Sequence, residues 1–205
     1  MDRDTLWGHI HHERTALART LRTLTADQWE HDSLCEGWTV KDVAAHVIST
    51  PQLGFTGTMG VFLRNLGRGY NTMVYRETKR VSARKTTDEV VHDFETYATS
   101  RKKVATTTTV EPLIDALVHH QDIVRPLGLR HDMDPEAAAV AADRVRLLSP
   151  LMGTRRLVRT VRMVATDIDW DRGKGRVVEG PMQELLMLCA GRPADLPTHD
   201  RRTSR

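Results

Sequence analysis

The sequence predicts a mainly α-helical protein, a helical bundle followed by a small α+β lobe. Three observations carry this. Leu6, Ile10, Leu17, Leu21 and Leu24 recur at helical intervals near the N-terminus. Two helix-compatible segments about seventy residues apart, from Cys35 to His46 and from Asp115 to Asp122, set polar side chains among apolar ones. After Pro150 the pattern changes, and Leu157 to Ile168 is β-branched and partly alternating.

Each element follows from its signals. Residues 3 to 24 read as the first helix, and Thr25 to Gly37 as a polar loop holding Trp29. Thr39 is placed to N-cap a second helix, with Asp42 at its positive end and Pro51 closing it. Glycines break up the stretch from Gly54 to Gly69, which reads as a loop with a short helical piece at most. Asn71 to Val81 is helical, and Thr87 starts a helix through about Lys103 with Val90, Val91, Phe94 and Tyr97 inward. Glu111 and Pro112 open the helix carrying Asp115 and His119, and Pro126 and Gly128 end it. Asp134, Pro135 and Glu136 start a helix that reaches Leu148. Beyond it come a strand to Ile168, a turn at Asp171 to Gly175, a returning strand from Arg176 to Glu179, and a last helix from Met182 to Ala190. The expected organisation is a bundle over 1–150, a hairpin-plus-helix lobe over 151–197 and a disordered tail over 198–205.

Composition excludes several classes. With 40% hydrophobic and 28% charged residues, the chain of 205 residues has enough apolar content for a core without disulfides. The formal charge is +3, and 24 of the 30 basic residues are arginine, scattered without interleaved aromatics, which argues against nucleic acid. No apolar run approaches the roughly 20 residues of a membrane span. Cys35 and Cys189 form no CxxC pair, and the N-terminal residues show no signal-peptide pattern. The expectation is a cytoplasmic protein with reduced thiols, acting as a monomer or homodimer without membrane or nucleic-acid partners.

The candidate chemistry lies in the two segments. Asp115 and His119 stand four apart, on one helix face, and His46 sits among Val43, Ala44 and Val47. Brought together, the three would give a His/Asp/His set with open coordination positions, as a catalytic metal requires. Taken singly, His46 reads as a hydrogen-bonded core histidine and the Asp115–His119 pair as a surface ion pair. Asp122, three residues beyond His119, is either an acceptor orienting an imidazole or a solvent-facing carboxylate. His120, about 100° around the helix from His119, reads as a rim residue. His9, His11 and His12 read as a solvated face, Trp38 as a core anchor and Cys35 as a buried structural thiol.

With these residues in view, the chain resembles the mycothiol-dependent maleylpyruvate isomerase family, within the DinB-like metalloprotein superfamily. The resemblance rests on the run from Cys35 to His46, on Leu117 to Gly128, and on a closing lobe marked by Ala165 to Trp170, Gly180-Pro181 and Gly191-Arg192. It implies a DinB-like four-helix bundle with one divalent metal, usually zinc, at His46, Asp115 and His119. It also implies mycothiol as cosubstrate. Asp115 stands where family members often carry the longer Glu. Arg76 lies in a segment resembling one that shapes the family's pocket, and reads either as the holder of a substrate carboxylate or as a surface arginine paired with a neighbouring Glu. The expected function is thiol transfer to, or thiol-assisted isomerisation of, a small electrophilic substrate. A metal-dependent hydrolase and a non-catalytic metal-binding protein are the alternatives, separated by whether turnover needs a thiol and whether it occurs at all.

Overall fold

The structure, a computed structural model, describes residues 1–196. The tail expected over 198–205, and the last residue of the expected lobe, lie outside the described residues. The chain divides into two compact units, one from Met1 to His131 and one from Asp132 onward. The division falls before the expected boundary at 150 because the helix Pro135–Leu148 packs on the final helix Met182–Cys189.

In the first unit α1 (Arg3–Arg22), α2 (Ala26–Glu30), α3 (Val40–Ser49), α4 (Phe55–Arg64), α5 (Tyr70–Ser82), α6 (Thr87–Tyr97) and α7 (Val110–Val124) follow in order. α1 and α3 each pack against both α6 and α7, which closes a four-helix bundle, and α5 lies on α3. The core between them holds Leu17, Leu21, Val43, Ile48, Phe94 and Ile123. The helix starts follow their capping residues. Thr39 and Asp42 exchange bonds in a capping box, as do Thr25 with Gln28 and Thr86 with Glu89.

Two expectations need correction here. Within the glycine-rich stretch from Gly54 to Gly69, Phe55–Arg64 forms the ten-residue helix α4, so the expected loop with a short helical piece is mostly helix. α6 ends at Tyr97, short of Lys103, because Ser100 is held by tertiary bonds instead: Arg14 Nη1 donates to its carbonyl, and its hydroxyl donates to Pro51 O.

The second unit contains α8 (Pro135–Leu148), α9 (Arg155–Thr160), β1 (Val161–Ala165), β2 (Asp171–Gly173), β3 (Arg176–Gly180) and α10 (Met182–Cys189). Asp134 caps α8 through Ala137 N, with Pro135 in its first turn. The expected strand from Leu157 is helical as far as Thr160. The expected hairpin partner is also different: β1 pairs antiparallel with β2 and parallel with β3, in the order β2-β1-β3. To change sides the chain passes close to the start of β1, where Gly173 and Gly175 have φ of +98° and +106°. A Cβ on Gly173 would stand 2.2 Å from the carbonyl oxygen of Val161, so only glycine fits. Gly173→Ala should therefore lower stability by at least about 2 kcal/mol, read as an earlier urea midpoint. An unchanged midpoint would mean that the crossing is not built this way.

Among the described residues no helix is long and apolar enough to cross a membrane.

Candidate metal centre

Both helices that carry the site are buried along most of their length. From Asp42 to Ile48 of α3 only His46 keeps exposure, and from Pro112 to Val124 of α7 only Asp115 and His119 do. Their donor atoms lie within 4.8 Å of one another. That is near enough for one ion bonded at roughly 2.0–2.2 Å after a small inward shift. The two imidazoles stand edge to face, with centroids 5.2 Å apart.

α3 is oriented by α5. Asp42 and His46, four apart on one face, meet consecutive residues of α5: Lys79 pairs with Asp42, and Thr78 Oγ1 lies 3.2 Å from His46 Nδ1. On α7, Asp122 is fully buried and its Oδ2 accepts from His119 Nδ1 at 2.8 Å. It thus orients the imidazole rather than facing solvent. Each histidine therefore has Nδ1 engaged and Nε2 left for a ligand, the arrangement seen around metal-binding imidazoles.

The loop before α3 closes the site. Trp38 N donates to Cys35 O at 3.0 Å around Gly37, whose φ of +75° suits a glycine in this turn. Ser33 Oγ bonds the Trp38 carbonyl, and Leu34 N reaches Asp122 O on α7. The buried Trp38 ring comes to lie 5.2 Å from that of His46 and 6.4 Å from that of His119. Cys35 is half-buried rather than buried. Its thiol donates to Asp122 Oδ2 at 3.1 Å, with Sγ 3.7 Å from His119 Nδ1.

The electrostatics are uneven. Burial and the neighbouring His119 push His46 down to about 3, so it is neutral. Burial also opposes charge on His119, but Asp122 and Cys35 outweigh it and hold that imidazole up to about 10. Burial raises Asp115, offset in part by His119 and by the buried Arg14. Among the described residues no hydrogen bond reaches the Asp115 carboxylate. Two oriented imidazoles beside a carboxylate that lacks a donor form a set that a divalent cation would satisfy.

The structure does not bring Arg76 to this set. Thr78 is the α5 residue that touches His46, and Arg76, two positions back and about 200° around, is exposed. It lines a groove with Arg64, Tyr75, Lys79 and Arg80.

His120 is fully buried, not at a rim. Its Nδ1 donates to Glu13 Oε1 at 2.8 Å, Thr20 Oγ1 lies 3.1 Å from its Nε2, and its ring stacks on His131, which donates to the same Glu13 oxygen at 2.6 Å. Sequence reading missed Glu13 and His131. A glutamate next to an arginine on an amphipathic helix carries no signal that it is buried. Of the N-terminal histidines only His12 is fully exposed; His9 and His11 are half-buried.

Residues 10–58 match the family model of the mycothiol maleylpyruvate isomerase N-terminal domain. The match takes in His46 and ends before α7, so Asp115 and His119 lie outside it. The mycothiol-dependent maleylpyruvate isomerase and its histidine-to-alanine mutant, both crystal structures, share the fold of this chain. Each aligns at TM-score 0.64 with 14% identity, over 96% of this chain and 92% of the other. No curated protein sequence matches the chain.

Proposed function

We propose that this protein is a divalent-metal-dependent enzyme that uses a low-molecular-weight thiol, mycothiol by its likeness to the isomerase, on a small electrophilic substrate. The reaction is thiol-assisted isomerisation or thiol transfer. The observation that carries this reading is the convergence of His46, Asp115 and His119, with both Nδ1 atoms already engaged by Thr78 and Asp122. A divalent ion such as zinc, held by these three, supplies the positive charge that keeps a thiol ionised near neutral pH. Asp122 and Thr78 fix the imidazoles, Trp38 shields one side from water, and the half-buried faces of the three ligands leave a way in. In the isomerisation the thiolate adds to a conjugated C=C carbon, the resulting single bond rotates, and elimination returns the thiolate.

The test is metal content of the purified protein, followed by turnover of conjugated electrophiles with and without thiol. One equivalent of zinc and a strict thiol requirement are expected. Ester or amide hydrolysis without thiol would move the protein to the hydrolases, and failure to take up zinc on incubation would end the metal reading. Asp122→Asn should keep the fold and weaken zinc binding about 10- to 100-fold, as loss of an orienting carboxylate does, measured by chelator competition.

A further inference from the structure

We propose that the outward face of α4 is a two-fold contact between two copies of this chain. None of the residues of α4 is buried. Phe55, Met59 and Phe62 recur at i, i+4 and i+7, in one stripe, and are 70%, 43% and 56% exposed, while Leu66, 64% exposed, lies in the turn just past the end of α4. Leu63, 63% exposed, borders it. The partly covered positions are Gly57, Thr58, Gly60 and Val61. The polarity is thus the reverse of an ordinary surface helix: small and hydroxyl residues face the protein and large apolar ones face water. A ten-residue helix with two internal glycines gains little from intrinsic propensity, so α4 calls for a covering partner.

The chemistry of the stripe selects the occupant. No ionisable side chain stands between Val47 and Leu63, so a charged peptide finds no counter-charge there. A helix lying on an anionic membrane carries several free Lys or Arg on its polar face, where α4 has glycine, threonine and a single Arg64 already paired with Glu77. A second copy brings the same stripe. Antiparallel pairing about a two-fold axis sets Met59 of one copy opposite Phe62 of the other and brings Phe55 toward the end of the partner helix. The five apolar side chains expose roughly 500 Å², at the upper end for the largest patch of a monomer. Two copies would bury about 1,000 Å², enough for a specific if modest interface. The contact does not depend on the metal reading.

Sedimentation velocity of the full chain over a concentration series tests this. A reversible dimer is expected, and Phe62→Glu combined with Leu66→Glu should weaken it about 100-fold or more with unchanged circular dichroism. Leu147→Glu, at an apolar residue of α8 that is 72% exposed, should leave the dimer intact. A wild type that stays monomeric at about 100 µM, or a dimer indifferent to the double variant, overturns the proposal. So does a monomer that floats with phosphatidylcholine vesicles, which would assign the stripe to lipid.

Discussion

His119→Ala should leave the protein folded, with under about a tenth of the wild-type zinc, and should lower thiol-dependent turnover about 10³-fold, the several kcal/mol expected when Lewis-acid stabilisation is lost. His119 is the residue on which the site turns, because it shares a face with Asp115 and receives the buried Asp122. The same variant should change the pH dependence of the metal-free protein. With its pKa raised from 6.5 to about 10, His119 contributes stability that is complete below 6.5 and is lost as pH rises through about 10. His46, lowered from 6.5 to about 3, contributes stability present above 6.5 and lost as pH falls toward 3. Together they place the best stability from this pair near pH 6.5. Zinc should reverse the alkaline loss, because the ligand is the neutral imidazole, and its uptake at neutral pH should release a proton. Melting temperatures across pH, in chelator and in zinc, check both parts. An alkaline limb that is the same in wild type and His119→Ala would contradict this account of His119.

What could be read in the sequence was what is written locally. Thr39 and Asp134 mark helix starts because caps act over three residues, and the D-x-x-x-H spacing of Asp115 and His119 fixes a shared face wherever the helix lies. That His46 would meet them depends on bundle closure, which spacing does not encode and the family resemblance supplied. The strand order was hidden because an alternating pattern is the same for parallel and antiparallel partners. Its trace lay in Gly173 and Gly175, which read as an ordinary turn. α4 was hidden because glycine frequency marks a loop, although the apolar stripe inside it has a helical period. His120 was misplaced for a simple reason. On a helix with one buried face, a turn of 100° leads to the rim, but α7 is buried nearly all round and the same turn leads to α1.

The contact of His120 with α1 gives the second large effect. Glu13 Oε1 accepts from His120 Nδ1 and His131 Nε2 in a site where Glu13 and His120 are closed to solvent. Burial alone would raise the Glu13 carboxyl, but the two imidazole bonds reverse this and hold it below the ordinary range. Burial also keeps His120 toward its neutral form. The network is therefore a buried carboxylate satisfied by ring N–H donors, tying α1 to α7 and to the segment ending at His131, which Gln121 Nε2 holds by its carbonyl. Glu13→Ala removes the acceptor and strands two donors, at about 1–3 kcal/mol for each, so a loss of roughly 2–6 kcal/mol is expected. For a chain of this size that lowers the melting temperature by about 10 °C. Glu13→Gln keeps a carbonyl oxygen for the same bonds and forfeits the charge assistance, so its cost should stay near 1–2 kcal/mol. Calorimetry on the two variants separates the readings. Glu13→Ala losing no more than Glu13→Gln would mean that the stacked histidines find other acceptors. The expected order, alanine well below glutamine with zinc content unchanged in the glutamine variant, identifies the cluster as the clamp that sets α7, and with it Asp115 and His119, against α1.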